Sequence, residues 1–279
     1  MNLKKIKRYF SFNFLLYIFG RFKLIRKTYK KFNKFKSIKV KKINNQEQYV
    51  DFKDNLINID KNLNLNGYFA GLKLKKNILK EIIRLSKKAK LKTCLDNKSF
   101  KNFNQINRYN KKSLKPYTLL NLKSKKLHKY VNKISKDQNL LKIANNYLGR
   151  VNKIDVKIQW SPVCKCDDEW REINGQTVTF HYDVHNLNFV YVFFYITDCD
   201  KDSGAHELIK ESHNKKSFLK HLIGSAKKDE KSLYKFYNKK KFVTIKGKAG
   251  FGFIEDTSCF HRAKIPVNKS RLALQFRYH

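Results

Sequence analysis

The chain has 279 residues, 63 Lys+Arg against 22 Asp+Glu, and a formal net charge of +41. With 41% hydrophobic and 14% aromatic residues it can fill a sizeable core, which excludes wholesale disorder. Its five cysteines, an odd number in a chain of this length, argue against a disulfide framework and for a reducing compartment.

Such a charge attracts nucleic acid, anionic lipid or acidic small molecules. Lysine and asparagine are nevertheless spread along the whole chain rather than gathered in one patch. A nucleotide-biased genome writes the same vocabulary, so charge alone names no partner.

The first 42 residues carry fifteen Lys/Arg and no Asp or Glu. Within them "YFSFNFLLYIFGRF" holds an apolar run over residues 9–19, too short to cross a bilayer as a helix. No small-residue cleavage site follows it, which weakens a secretory-signal reading. A basic, aromatic-rich stretch of this kind suits an anionic membrane surface, with a core helix bearing a basic tail as the plain alternative. Residues 39–66 are polar and asparagine-rich and read as a linker. The organisation expected is therefore a basic extension over residues 1–66 and one domain over residues 67–279.

Helices come next. Residues 77–91, "NILKEIIRLSKKAKL", place Ile78, Leu79, Ile82, Ile83 and Leu85 at helical spacing. "SKKLHKYVNKISKDQNLLKIANNYLGR" reads as two helical runs, with Asp137 as a cap and Gly149 as a stop. After Gly149 the texture changes to short β-branched and aromatic runs between turn signals: "KIDVKIQWS", "QTVTFHYDV", "FVYVFFYIT", "KFVTIKG", "GFGFIED" and "SRLALQFRY". The fold class expected is mainly β with N-terminal helices (α+β), an antiparallel sandwich or barrel.

One run stands out chemically. "TFHYDVHNLNF" puts His181, Asp183 and His185 at alternate positions, so a strand would project all three from one face. Imidazoles and carboxylates buried together need pairing or a metal, although a solvated strand face would satisfy the same pattern. A third ligand has to come from a distant segment, and His261 in "EDTSCFHRAKIP" is the candidate. Two histidines and one carboxylate form the facial triad favoured by non-haem Fe(II). Arg271 opens the last strand and offers a bidentate fork for a carboxylate, with Ala273 and Gln275 on its face. Cys164-Lys-Cys166 lacks zinc-knuckle spacing and is a weak metal signal.

The order H-x-D, "TDCDKDSGAHELIKESH", the glycine turn "GKAGFGF", His261 and Arg271 resembles the phytanoyl-CoA dioxygenase family of Fe(II)/2-oxoglutarate oxygenases. The likeness covers roughly residues 121–278, including "NLLKIANNYLG" and "GFIEDTSCFHRAKIP", and leaves residues 1–66 outside. It implies a double-stranded β-helix (cupin-like jelly roll) and iron held by His181, Asp183 and His261. It also implies 2-oxoglutarate with its far carboxylate on Arg271, Gln159 as a further cosubstrate contact, and ascorbate as a candidate activator. The reaction implied consumes O2, releases succinate and hydroxylates an unactivated C–H. Related halogenases carry a small residue where Asp183 stands, so the aspartate favours hydroxylation.

The expected substrate is a small or lipid-like metabolite, with His185 as a candidate contact. The segment "SPVCKCDDEWREING", with Trp160 before it and Trp170 within it, is expected to lie over the pocket. His206 and His213 are expected in packing or turn roles, and Tyr182 and Phe260 in the core. A cytoplasmic location is expected, with residues 1–42 at a membrane surface as a variant of it. No aromatic stacking platform or base-flipping signature appears, so no specific nucleic acid is expected. The alternative is a non-catalytic, basic cupin-like protein that binds nucleic acid or anionic membrane.

Overall fold

The computed structural model describes residues 19–35, 48–184, 187–216 and 228–279. Among the described residues, twelve strands form two antiparallel sheets. The larger sheet runs β1 (Val50–Phe52), β2 (Tyr68–Leu74), β10 (Phe251–Glu255), β7 (Val190–Tyr195), β12 (Arg271–Tyr278), β6 (Ile154–Ser161), β5 (Leu120–Lys123), β3 (Lys90–Thr93), β4 (Ser99–Phe100). The smaller runs β11 (His261–Ala263), β8 (His206–Ile209), β9 (Phe242–Ile245). A bridge from His181 to His261 adds the H-x-D segment to the edge of the smaller sheet.

From β6 onward the chain alternates between sheets: β6 in the larger, the H-x-D segment in the smaller, β7 in the larger, β8 and β9 in the smaller. It then returns through β10, β11 and β12. This is the double-stranded β-helix, the cupin-like jelly roll.

Period-2 alternation decides what each face meets. Along β12, Leu272, Leu274, Phe276 and Tyr278 join the main hydrophobic core, whereas Arg271, Ala273, Gln275 and Arg277 line the cleft between the sheets. In β7, Val190, Val192 and Phe194 enter that core while Phe193 and Tyr195 face the cleft. The outer face is covered by α3 (Lys76–Lys87), α5 (Lys125–Ile134) and α6 (Gln138–Leu148). Their apolar stripes, for example Leu127, Val131 and Ile134 of α5, pack into the same core.

Asp137 caps α6 by accepting from Asn139 N and Leu140 N, and Gly149 ends it at φ 84°. The other carboxylate oxygen of Asp137 accepts from Tyr49 N and Val50 N at 2.6 and 3.2 Å, which ties β1 to α6.

Several local expectations are corrected. The stretch read as a linker holds, over its described part, β1 and α2 (Leu56–Asn66), both part of the packed body. Its apolar positions are few, but Val50, Ile59 and Leu63 are fully buried and sufficient to anchor it. Gly67 then ends α2 in the left-handed conformation at φ 84°. The helix expected over residues 77–91 stops at Lys87, and Lys90 and Leu91 open β3. Five strands, β1 to β5, precede Gly149 and widen the jelly roll on both edges; apart from β2 they are two to four residues long, too short to show alternation. The run around His181 is extended, yet among the described residues it makes only isolated bridges, Phe180 to Lys228 and His181 to His261.

α1 (Lys23–Phe35) lies against the body through Arg26. Apart from Phe19, the apolar run of residues 9–19 falls outside the described residues, as do residues 36–42. Among the described residues, no helix is long and apolar enough to cross a membrane. All five cysteines are unpaired.

Candidate metal centre

The cleft between the sheets is a cavity of about 240 Å³. His181, Asp183, His261, Arg271 and Gln159 all line it, so segments far apart in sequence meet at one place. His185 lies outside the described residues.

The three candidate ligands present one atom each within 4.8 Å of one another. His181 Nε2 is 3.9 Å from Asp183 Oδ1, and His261 Nε2 is 3.8 Å from Asp183 Oδ2. The imidazole centroids are 4.4 Å apart. Each ring is oriented by its other nitrogen: His181 Nδ1 donates to Thr179 O at 3.0 Å, and His261 Nδ1 donates to Cys259 O at 2.9 Å. A carbonyl can only accept, so both Nδ1 atoms carry a proton and Nε2 is the ring nitrogen left to bind a metal. That donor set, two imidazoles and a carboxylate with ligand atoms gathered at one place, fits a divalent first-row metal with open positions. Burial pushes the His261 imidazole down to about 4, which keeps it in the ligating form at neutral pH.

Arg271 sits at the start of β12, opposite Ser161 of β6. Its Nη1 donates to Gly204 O, its Nη2 reaches Ser161 Oγ at 3.5 Å, and its buried Nε has no partner. A guanidinium with an orphaned Nε on a cavity wall fits a carboxylate accepted through its fork. Between Arg271 and the metal-ligand end, the register places Ala273 level with Gln159 on one side and Tyr195 on the other. The small side chain leaves room for an extended diacid along the wall. Gln159 Nε2 donates to Asn121 Oδ1 at 3.0 Å, so its carboxamide is held in place at the cavity edge.

The segment over residues 161–175 contains a short helix, α7 (Asp168–Ile173), and returns Gly175, Gln176 and Thr177 to the cavity wall. Trp170 Nε1 donates to Pro116 O at 2.7 Å, and buried Arg171 donates to Cys164 O at 2.7 Å. Cys164 and Cys166 take no part in the cavity wall. His213 serves packing, within reach of Asn64 O at 3.2 Å and Cys259 Sγ at 3.4 Å. Tyr182 and Phe260 pack together on the outer side of the smaller sheet.

Sequence reasoning missed Glu255. This fully buried carboxyl lies 3.6 Å from His261 Nδ1 and 2.6 Å from His206 Nε2, although neither contact is aligned as a hydrogen bond. Burial pushes Glu255 up to about 8, with Asp183 and Asp256 adding to the rise and His261 opposing it. Burial, then Arg271, pushes His206 down to about 3. Both groups are therefore neutral near pH 7, and His206 stacks on His261 with centroids 5.4 Å apart. The available signal was the adjacent acidic pair in "GFIEDTSC", but β10 has no alternation that marks Glu255 as facing inward.

No family model and no curated protein matches the sequence. Among solved structures, the chain is similar to the non-haem alpha-ketoglutarate-dependent epimerase SnoN from nogalamycin biosynthesis. Identity is 13%, over 80% of this chain and 82% of that one, with a TM-score of 0.52. It is also similar to EvdO2 from Micromonospora carbonacea var. aurantiaca complexed with 2-oxoglutarate, at 10% identity over 83% of this chain and 93% of that one, with a TM-score of 0.52. At these identities the likeness shows the fold: the chain is a cupin-like jelly roll of the kind these 2-oxoglutarate-linked proteins have.

Proposed function

We propose that the protein is an Fe(II)- and 2-oxoglutarate-dependent dioxygenase of the phytanoyl-CoA dioxygenase type, hydroxylating an unactivated C–H of a small or lipid-like metabolite. The observation that carries this reading is the convergence of His181, Asp183 and His261 in one cavity whose far wall holds Arg271. Bound iron with 2-oxoglutarate supplies O2 activation coupled to oxidative decarboxylation.

The chain's own contribution is placement. Thr179 O and Cys259 O aim the two Nε2 atoms. Arg271 receives the distal carboxylate of the cosubstrate, with Gln159 beside it. Phe193, Tyr195 and Phe253 add aromatic surface to the cavity lining. Asp183 occupies the ligand position that halide would need, so oxygen transfer is favoured over halogenation. The free thiols support a reducing, cytoplasmic setting, and the basic N-terminal stretch suits an anionic membrane surface.

Anaerobic addition of Fe(II) and 2-oxoglutarate is expected to raise a visible charge-transfer band, and O2 then to release succinate. His181→Ala and Asp183→Ala should each abolish the band and reduce succinate formation by about 10²-fold or more, as loss of an essential group does. Succinate release unchanged in both variants would overturn the reading, and absence of the band in the wild type would leave the non-catalytic alternative. Mass analysis of a turned-over substrate separates hydroxylation from epimerisation, which adds no oxygen.

A further inference from the structure

We propose that Arg26, on the N-terminal helix outside the segment that resembles the oxygenases, is a positioning residue for the metal centre, so that docking of α1 and metal binding reinforce each other. This rests on the reading of His181, Asp183 and His261 as metal ligands.

The link is the turn after β10. Asp256 accepts Cys259 N at 2.8 Å through its carbonyl and Ser258 N at 2.9 Å through Oδ1, which closes the turn. Two carbonyls leave this turn toward the ligands. Thr257 O accepts Asp183 N at 2.8 Å, and Cys259 O accepts His261 Nδ1 at 2.9 Å. One short segment therefore sets the backbone of the carboxylate ligand and the ring of the distal histidine.

α1 grips this segment from the side away from the cavity. Arg26 Nη2 pairs with Asp256 Oδ2 at 2.8 Å and Nη1 donates to Ser258 Oγ at 2.6 Å. The guanidinium lies 4.7 Å from the Phe189 ring centroid. Tyr147 OH donates to the same Asp256 oxygen at 2.6 Å, and Lys216 Nζ donates to Ser258 O. The side chains of Arg26 and Asp256 are 10% and 1% exposed, so neither charge has water to fall back on. Removing one member of such a pair strands the other in low dielectric and forces the turn to rearrange or take up a proton. A turn that moves carries Asp183 and His261 with it. Because coupling between two binding events is reciprocal, a metal that fixes the turn must in return hold α1 in place.

The test uses the full chain. Fe(II) affinity is read anaerobically from the visible band at saturating 2-oxoglutarate, and amide exchange over residues 23–35 is read with and without Mn(II) plus 2-oxoglutarate. Arg26→Met should weaken Fe(II) binding by about tenfold, the size usual for groups that orient ligands, with Arg26→Lys in between. Metal should slow exchange in α1 of the wild type by about fivefold or more, and leave α1 of Arg26→Met unaffected. A folded Arg26→Met with wild-type Fe(II) affinity would overturn the proposal, even if its melting temperature fell. Should that variant not fold, exchange in the wild type decides: metal bound with α1 exchange unchanged overturns the coupling alone. A wild type that binds no metal overturns the functional reading as well.

Discussion

Two backbone carbonyls determine what a metal would meet in this cleft. Thr179 O and Cys259 O each hold an Nδ1–H, and both imidazoles are left offering Nε2. In the proposed reading Arg271 would act by geometry as much as by charge. Arg271→Lys keeps the charge but loses the fork, and should raise the dissociation constant for 2-oxoglutarate about 10–100-fold, read from the visible band. Glu255 makes a prediction about pH. Its folded pKa, about 8, lies above the ordinary 4.5, so between these values the folded state holds a proton that the unfolded state has lost. Stability in that window therefore falls as pH rises. Glu255→Gln removes this dependence, and denaturation of the metal-free proteins should show the variant gaining on the wild type steadily from pH 5 to pH 8. A constant difference across that range would show that Glu255 does not titrate there.

At the scale of elements, the site depends on how α2 ends. Gly67 adopts φ 84°, its carbonyl accepts Asp256 N at 2.8 Å, and a Cβ there would collide with Cys259 Sγ. A glycine is required for two separate reasons, handedness and room. Gly67→Ala should cost about 1–3 kcal/mol, or about 2–4 °C of melting temperature for each kcal/mol. Because Cys259 carries the carbonyl that aims His261, the same variant should also bind Fe(II) more weakly. A melting curve and a metal titration on one sample check both halves. Element by element, the sequence is unevenly legible. Asp137 and Gly149 bound their helix as the cap chemistry indicates, and the inward face of Arg271, Ala273 and Gln275 followed from alternation. The H-x-D run, by contrast, is not a regular strand: its alternation presents the candidate ligands from isolated bridges at a sheet edge. β1 and α2 were read as linker because three well-buried side chains among many asparagines do not make a periodic signal.

Over the whole molecule, the net charge of +41 is a standing repulsion that compactness has to overcome. Salt screens such a field over about 10 Å at about 0.1 M. The melting temperature should therefore climb when NaCl is raised from about 10 mM to about 150 mM, where exposed charges are largely screened. A fall over that range would mean that ion pairs such as Arg262 with Glu207 and Glu230 outweigh the repulsion.

The amino-acid order alone determined a mainly β class behind N-terminal helices and marked His181, Asp183, His261 and Arg271 as candidates. These depend on local rules: strand alternation, cap chemistry, and the residue types able to hold a metal or a carboxylate. Only the tertiary structure decided that His181, Asp183, His261, Arg271 and Gln159 share one cavity, since their meeting depends on strand order and register across two sheets. It alone placed Glu255 beside the distal histidine and Arg26 beneath the turn that carries it, 230 residues away along the chain. Contacts at that separation leave no periodic trace, because each partner satisfies its own local element whether or not the other is there.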